Sequence, residues 1–434
     1  MSPRRQAIVS LPESDGRPAS RPAGLGNTAA IRDSSGLQAV IYLDNNATTR
    51  IHPAVRDAML PWLSEEGYGN PSAGYRFGKA ARQAVDRARE QVAALIDADP
   101  EEIVFTSGGT ESNNTALLSA LRTYPDRRRL VTSTVEHSAV ENPCAFFDET
   151  GYHLRRNPVD ASGRLDLDAL RDAITPGETA IVSVIWANNE TGVLSPVAEA
   201  AAIAREAGAL FHTDAVQAVG KLPVSVRVAG VDLLSLSGHK FHAPKGIGAL
   251  YVSRRIRFAP MLLGGGQEGG RRSGTENVAG IVALGAAAEL MRGHLADGLT
   301  GRLEMLRDRF EAGVRAAVDG VEVNGDASPG ARVTNTSNLY FPGVDGEGLL
   351  ILLDEAGVCC SPGSACGSGS VKPSRVLKAM GHSTARARGS VRFSVSLFTT
   401  GEEIDAAVAA VAKAVGKLRV VMPTGGSRVV SRSR

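Results

Sequence analysis

The sequence predicts an α/β fold in which a large domain carries a mainly parallel sheet and a smaller α/β domain follows towards the C-terminus. Short apolar runs alternate with segments of helical periodicity between about residues 41 and 295, and several of the runs end in polar residues. After about residue 295 the pattern changes to a long helix rich in Arg, Leu and Glu, followed by the short apolar run Asn338–Phe341 and a second helix. Such alternation is typical of a parallel sheet covered by helices on both faces, which binds ligands at the carboxyl ends of its strands.

Length and composition set the domain assignments. The chain has 434 residues, which is enough for two domains. Residues 1–40 are rich in Arg, Ser, Pro and Gly and lack apolar periodicity, so we predict a disordered extension there. We assign residues 41–295 to an N-terminal arm and the large domain, 296–420 to the small domain and 421–434 to a basic tail.

The individual elements follow from the spacing of apolar residues. Runs bounded by turn residues predict the strands of the large domain, which are Ile103–Thr106, Leu130–Ser133, Ile181–Trp186, Ala209–His212, Asp232–Ser235 and Ala249–Val252. Helical spacing predicts helices over Lys79–Ile96, Leu303–Val318 and about Leu349–Ala356, and Ser390–Ser394 has the pattern of a further strand. A ligand is therefore expected near Thr106, Asp214 and Ser237, which lie at or just after predicted strands.

Composition narrows the class of protein. With 43% hydrophobic and 22% charged residues the chain is typical of a soluble globular protein, and a net charge of +2 gives no reason to expect nucleic acid as a partner. We find no apolar window of the roughly 20 residues that span a bilayer and no secretory signal, so we expect no membrane association and a cytoplasmic location. Four cysteines are too few and too unevenly placed for a disulfide framework.

Lys240, which follows a predicted strand in Ser-Gly-His-Lys, is the most informative residue. A lysine amine can form a Schiff base with a carbonyl cofactor, and a carboxylate such as Asp214 can keep a pyridine nitrogen protonated. Either residue alone would mean little, because most lysines are solvated and many aspartates after strands are caps or turns. The pair in this strand, turn and strand context points to pyridoxal phosphate.

A second segment, Thr106–Asn113, follows a strand and opens a helix. Gly109 would let the backbone approach a ligand, and free N–H groups with the Thr110 hydroxyl would face an anion. An ordinary helix cap explains these residues equally well. Ser237 and His239, beside the candidate lysine, add further donors and favour a phosphate site.

Three single residues suit a cofactor or a substrate. His137 comes just past a strand end, where its imidazole could stack on a flat ring, although a structural role is more usual for a lone His. Asn189 ends an apolar strand and its amide could donate to a ring oxygen, although its neighbours are also typical of a turn. Arg392 lies in a short apolar strand, where its guanidinium would pair with a structural carboxylate or bind a substrate carboxylate.

Cys366 lies among glycines and small residues, so we expect it on an exposed loop from which a thiolate could attack. A zinc site is disfavoured there because a structural site needs four ligands, and no further Cys or suitably spaced His completes the set. Cys359 and Cys360 continue an apolar run and are expected to be buried.

Taken together, these segments make the chain resemble the cysteine desulfurases of the NifS/IscS type, which are fold-type I PLP-dependent transferases. The resemblance runs from about Tyr42 to Leu418 and rests on the motifs YLDNNATT, WANNETGV, DAVQAVGK, SGHKFHAPKGIG, RRSGTEN and GSAC. It implies a homodimer that converts L-cysteine to L-alanine and passes the sulfur, as a persulfide, to an acceptor or scaffold protein for iron-sulfur cluster assembly. The segments NNATTR and GHKFHAPKG lean towards the nitrogen-fixation branch of the family.

The resemblance also implies a role for each site residue. Lys240 would be the Schiff-base lysine, Cys366 the nucleophile, and His137 a catalytic residue stacked on the cofactor ring. The residues implied to bind the rest of pyridoxal 5'-phosphate are Asp214, Gln217, Asn189, Gly109, Thr110, Ser237, His239 and, from the partner subunit of the dimer, Thr275. Arg392, Asn46 and Asn189 would bind the substrate. No fixed metal site is implied, and any contact with metal is limited to a transient iron-sulfur cluster at Cys366.

Some positions depart from the family pattern. Gly367 stands where relatives have Thr or Ser, and Lys372 stands where a Glu is expected before Pro373. Residues 420–434 lack the usual family ending, which in some relatives contributes to the docking of scaffold proteins. The identity of the sulfur acceptor therefore stays open.

Other functions on the same scaffold are a selenocysteine lyase, a sulfinate lyase or an aminotransferase. Cys366 argues against the aminotransferase, which needs no thiol. A non-catalytic scaffold or partner protein is a further alternative. The joint presence of Lys240, Asp214 and Cys366 argues against it, because a protein without catalytic activity has no physical need for all three.

Overall fold

A computed structural model of the chain describes residues 40–65, 67–362 and 373–421. The strands are β1 Ile41–Tyr42, β2 Ile103–Thr106, β3 Arg129–Ser133, β4 His153–Asn157, β5 Thr179–Ile185, β6 Leu210–Asp214, β7 Leu233–Ser237, β8 Gly248–Val252, β9 Glu322–Val323, β10 Thr336–Tyr340, β11 Val358–Cys359, β12 Ser361–Pro362 and β13 Ser390–Ser394. The helices are α1 Pro53–Met59, α2 Arg76–Leu95, α3 Gly109–Thr123, α4 Ser138–Glu149, α5 Leu167–Ala173, α6 Val197–Glu206, α7 Val226–Ala229, α8 Val278–Ala296, α9 Leu299–Ala317, α10 Gly346–Glu355, α11 Arg375–Ala379, α12 Thr384–Arg388 and α13 Gly401–Val421. Short 3-10 helices span Leu60–Leu63, Pro100–Glu102, Gly238–Lys240 and Gln267–Gly270.

A seven-stranded sheet with the order β2-β8-β7-β6-β5-β3-β4 positions the candidate site. β8 runs antiparallel to both of its neighbours, and the other pairs are parallel, so the prediction of a mainly parallel sheet is confirmed. In the register of the sheet Asp214 of β6 lies opposite Ile185 of β5 and Ser235 of β7. The polar residues that end these strands therefore meet at one edge.

Burial explains why these segments form strands and helices. Every residue of β5 is buried, as expected for a central strand covered on both faces. In α2 the buried Val85, Ala88 and Val92 recur at intervals of three and four residues and pack this face along α8. The edge strand β4, with the sequence HLRRN, is largely exposed and carries no apolar run.

Helix α8 corrects one expectation from the sequence. By length and composition alone it is apolar enough to cross a membrane, whereas we expected no such window. Half of that window is buried inside the fold, where α8 packs along α2, and core helices commonly meet the same criterion. This is weak evidence for a membrane span, and the predicted cytoplasmic location stays a prediction.

The C-terminal part contains a four-stranded sheet with the order β12-β13-β10-β9. The N-terminal arm crosses to this part, because β1 pairs with β11 and Asp44 forms an isolated bridge with Ser394 of β13. This crossing brings residues 44–49 beside the end of β7, where the Thr49 N–H donates to the His239 carbonyl at 2.8 Å. The domain boundary near residue 295 stays a prediction.

Candidate active site

Lys240 lies at the carboxyl edge of the seven-stranded sheet, at the end of the 3-10 helix that continues from β7. Its Nζ donates to the backbone carbonyls of Asn46 at 2.6 Å and Ala47 at 2.8 Å. Burial and, next, the Arg392 guanidinium lower the pKa of Lys240 to about 8, against the opposing effect of two nearby aspartates. A lowered pKa increases the fraction of neutral amine, which is the form that attacks a carbonyl group.

Asp214 ends β6 and is buried at the same edge. Its Oδ2 accepts a hydrogen bond from Nδ2 of Asn113 at 2.7 Å, and its Oδ1 accepts one from the Val216 N–H at 3.0 Å. These two bonds fix the plane of the carboxylate. Sequence reasoning missed Asn113, although its position one turn after Gly109 in α3 could have indicated that it faces the sheet.

The turn between β2 and α3 can accommodate an anion. Gly108 has a φ of 149°, which favours glycine, and a Cβ at Gly109 would lie only 2.6 Å from Cγ2 of Val216. Within the described chain, the N–H groups of Gly109 and Thr110 have no protein acceptor, as is usual in the first turn of a helix. Ser237 is buried at the end of β7, with its Oγ 3.6 Å from where a Cβ of Gly108 would stand. The predicted phosphate donors thus surround one turn.

His239 lies against the N-terminal arm. Its Nδ1 is 3.1 Å from Oγ1 of Thr48, and its carbonyl accepts from the Thr49 N–H at 2.8 Å. Burial and, next, Lys240 lower the pKa of His239 to about 4, so the ring is neutral at physiological pH. In the described part of the chain its Nε2 has no partner and is available to a ligand.

Thr275 is exposed in the loop that follows the last 3-10 helix. Two ion pairs hold this loop and the 3-10 helix before it against the rest of the chain. Glu268 receives both terminal nitrogens of Arg89, at 2.7 and 2.8 Å, and Arg272 donates through Nε to Glu111 at 2.9 Å. The contribution of Thr275 to the site of a partner subunit stays a prediction.

His137 and Asn189 lie in the segments that follow β3 and β5. His137 caps α4 by accepting the Ala139 N–H on Nδ1 at 3.1 Å, and its side chain is exposed where it lines a cleft with Thr110. Among the described residues the Oδ1 atom of Asn189 is buried without a hydrogen-bond partner. Burying a polar atom without a hydrogen bond costs free energy, unless a ligand or water donates to it. Asn189 is therefore a candidate contact for a bound molecule.

Asn46, Gln217 and a second lysine, Lys221, form a buried hydrogen-bonded network. Nε2 of Gln217 donates to the Asn46 carbonyl at 2.9 Å. Nζ of Lys221 donates to Oδ1 of Asn46 at 2.9 Å and to Oε1 of Gln217. Nδ2 of Asn46 donates to Oγ1 of Thr336 at 2.8 Å and to the Asn189 carbonyl at 3.4 Å. The side chain of Asn46, predicted to bind substrate, is therefore fully engaged with the protein in this state.

Arg392 of β13 is nearly buried, with 4% of its side chain exposed. One terminal nitrogen donates to the Asn189 carbonyl at 2.8 Å and the other to Oδ1 of Asp44 at 2.8 Å, while Nε has no partner among the described residues. The sequence left open whether Arg392 pairs with a structural carboxylate, and the structure shows such a pair with Asp44. Because guanidinium has five N–H donors, it can still bind a second carboxylate.

Cys366, Gly367 and Lys372 lie outside the described residues. The described chain stops at Pro362, which pairs with Val391 next to Arg392, and resumes at Pro373, ahead of Ser374, which donates to the buried Glu190. Both ends of this ten-residue gap therefore contact elements of the site.

The remaining cysteines have environments unsuited to nucleophilic attack. Cys144 is buried, whereas Cys359 and Cys360 are partly buried rather than fully buried as expected. Burial raises the pKa of all three thiols. In the described ranges, no group of three or more His, Cys, Asp or Glu residues is arranged to hold a metal ion.

Comparisons with known proteins show the family. Residues 41–407 match the model of the aminotransferase class-V family. The chain is 50% identical to cysteine desulfurase 2 of Trichormus variabilis, over 88% of this chain and 95% of that protein. It is 48% identical to the cysteine desulfurase NifS of Azotobacter vinelandii, over 88% of this chain and 94% of that protein.

Solved structures agree with this relationship. A NifS-like protein superposes with a TM-score of 0.81 at 34% identity, covering 87% of this chain and 100% of that one. SspA in complex with cysteine superposes with a TM-score of 0.72 at 34% identity, covering 83% of this chain and 99% of that one. The chain therefore belongs to the aminotransferase class-V family and, within it, to the cysteine desulfurases, as the resemblance of its motifs predicted.

Proposed function

We propose that this chain is a pyridoxal-phosphate-dependent enzyme that converts L-cysteine to L-alanine and leaves the sulfur as a persulfide on Cys366. An acceptor or scaffold protein then receives the sulfur for iron-sulfur cluster assembly, and the active form is a homodimer. The observation that carries the proposal is the convergence of Lys240, Asp214 and Arg392 on one buried site in a chain 50% identical to a cysteine desulfurase.

Pyridoxal phosphate is a general property of this family, and the described residues fit it. Among the described residues, the N–H groups of the glycine turn at the start of α3 are unpaired where a phosphate would bind, and a Cβ at Gly109 would collide with Cγ2 of Val216 beside that turn. Asp214 is held by two hydrogen bonds in a position suited to a pyridinium nitrogen. The unpartnered Oδ1 of Asn189 marks a second contact. When bound, the cofactor supplies an electron sink that makes the α-proton of an amino acid acidic.

Lys240 would bind the cofactor covalently and then serve as the base. Once an amino-acid substrate displaces it, its Nζ is free to take the α-proton of the substrate and to return a proton to the product. The lowered pKa of about 8 suits both tasks, because a base works best when its pKa is near the operating pH. The carbonyls of Asn46 and Ala47 hold the amine in place between the two transfers.

Cys366 would supply the thiolate that attacks the substrate sulfur. A sulfur-sulfur bond forms and the carbon-sulfur bond of cysteine breaks, so the enzyme sulfur and the substrate sulfur are each oxidised by one electron and the β-carbon of the substrate is reduced by two electrons to the methyl group of alanine. The enzyme thiol and L-cysteine contain the same atoms as the persulfide and alanine, and no external oxidant or reductant is needed. The chain's own contribution is a thiol that can approach the site.

The selenocysteine lyase, sulfinate lyase and aminotransferase alternatives predict different products. Purified protein loaded with pyridoxal phosphate should release sulfide and alanine from L-cysteine in a ratio of one to one when a thiol reductant is present. Sulfide is measured colorimetrically and alanine by amino-acid analysis. Activity restricted to selenocysteine or cysteine sulfinate, or formation of a keto acid in place of alanine, would replace the proposal with the corresponding alternative.

Replacing Arg392 with Lys should raise the KM for L-cysteine by about 10- to 100-fold with a smaller change in kcat. A guanidinium offers paired donors to a carboxylate, and hydrogen bonds to charged groups contribute about 1.5 to 3 kcal/mol each. Steady-state kinetics with cysteine measures this split, and Lys413→Met, at an exposed position on α13, is the control. An unchanged KM would assign Arg392 to the ion pair with Asp44 alone.

A further inference from the structure

Lys221 is a buried titratable residue that the catalytic proposal does not use. It is 5% exposed, and its Nζ contacts Oδ1 of Asn46 at 2.9 Å and Oε1 of Gln217. Within the part of the chain that the structure describes, no carboxylate pairs with it. Burying a lysine without a counter-ion costs free energy, so the presence of Lys221 beside the site needs a physical explanation.

The number of hydrogen-bond acceptors around Nζ of Lys221 indicates whether this amine is protonated. An ammonium group has three N–H donors, whereas a neutral amine has two and a lone pair. Among the described residues Nζ of Lys221 has two oxygen acceptors, which is the number of N–H donors on a neutral amine. Burial and, next, the neighbouring Lys240 and Arg392 lower the pKa of Lys221 well below its ordinary value, in agreement with that count.

The contacts of Lys221 determine which way the Gln217 amide points. A primary amide has a donor end and an acceptor end, and an amine donor fixes the acceptor end. Because Lys221 occupies Oε1 of Gln217, the Nε2 end turns to the Asn46 carbonyl at 2.9 Å. That carbonyl is the one that also accepts from Nζ of Lys240. Lys221, Gln217, Asn46 and Lys240 thus form one continuous network.

Little space for water adjoins Lys221 in this network. The cavity that Lys221 and Lys240 line, with Asn335 and His242, has a volume of about 20 Å³. That is room for about one water molecule. The other titratable groups around the amine are Lys240 and Arg392, which lower its pKa, and His239 and His242, whose pKa values Lys221 in turn lowers.

We propose that Lys221 is a positioning residue, which holds the side-chain amide of Gln217 with its N–H groups towards the phenolic oxygen of the bound cofactor. This inference rests on the proposed function, since it assigns a role towards the same cofactor. Without Lys221 the amide is held only by its bond to the Asn46 carbonyl and can rotate more readily to present its oxygen instead. A lost donor disfavours the deprotonated form of the group that it contacts, so the pH midpoint of the cofactor's visible absorption should rise.

A double-mutant cycle tests this role through the pH titration of the visible absorption band of the loaded protein. Lys221→Met, which removes both N–H donors at similar length, should raise the midpoint by about one pH unit when Gln217 is intact and by less than about 0.2 when Gln217→Ala is also present. Lys221→Gln, which keeps one amide donor, should give a smaller rise and carries the test if the Met variant does not fold. Lys413→Met is the control and should titrate like the unmodified protein.

Two results would overturn the inference. Equal shifts with and without Gln217 would show that Lys221 acts independently of the amide, and no shift in either background would show that it does not orient the amide at all. Failure of the proposed function is a separate result, because the unmodified protein would then show no visible band after incubation with pyridoxal phosphate.

Discussion

Replacing Cys366 with Ala is expected to reduce the rate of sulfide release from L-cysteine by about a thousandfold or more, while the visible absorption of the loaded protein stays the same. Loss of a covalent nucleophile leaves only the other elements of the site, and such losses are typically of this size or larger. The cofactor contacts proposed for Lys240, Asp214 and the glycine turn do not involve Cys366. Sulfide release by the colorimetric assay and an absorption spectrum of the same sample measure the two parts of this prediction.

Cys359→Ala is the matched control for this experiment. Burial raises the pKa of Cys359, so its thiol carries little thiolate at neutral pH, and the variant should keep most of the activity. Mass spectrometry of protein mixed with cysteine should find the additional sulfur on the peptide that contains Cys366. A Cys366→Ala protein that still desulfurates cysteine at the normal rate would falsify the assignment of the nucleophile.

The central sheet could be predicted from the sequence because its strands are buried on both faces. Continuous apolar runs predicted β2 at its observed bounds and β3, β5, β6, β7 and β8 to within two residues at each end. The pattern did not predict β4, because His153–Asn157 is an exposed edge strand with three basic residues among its five. The two-residue strands β9 and β11 were missed for a different reason, since they are too short to show any period.

The site residues that end strands could be predicted from the sequence. The contacts that join residues far apart in the sequence could not. Lys240, Asp214 and Ser237 follow apolar runs, so their placement at one edge of the sheet follows from the topology. The ion pair between Asp44 and Arg392 joins residues 348 positions apart, which no local pattern specifies. Asn113 and Lys221 likewise acquire their contacts only when α3 and the N-terminal arm pack against the strand ends.

Replacing Lys240 with Ala is expected to abolish turnover, with a loss of about a thousandfold or more in kcat, and to remove the site at which borohydride reduction attaches the cofactor to the protein. With the pKa of Lys240 lowered to about 8, roughly a tenth of this amine is neutral at pH 7, far more than for an exposed lysine. The reaction loses both the covalent attachment and the base when this amine is removed. Tryptic mapping after reduction and a sulfide assay measure the two losses.

The Lys240→Arg variant keeps the positive charge of the side chain but removes its nucleophilic amine. The guanidinium can still donate to the carbonyls of Asn46 and Ala47 but remains protonated, so it neither attacks a carbonyl nor takes a proton at neutral pH. The Arg variant should therefore be as inactive as the Ala variant, even if its thermal stability is closer than that of the Ala variant to the stability of the unmodified protein. Added methylamine should restore part of the activity of the Ala variant, since a small neutral amine can enter the space left by the side chain and accept the α-proton. Recovery in the Arg variant, where that space is filled, would instead show that the added amine does not act from the position of the Lys240 side chain.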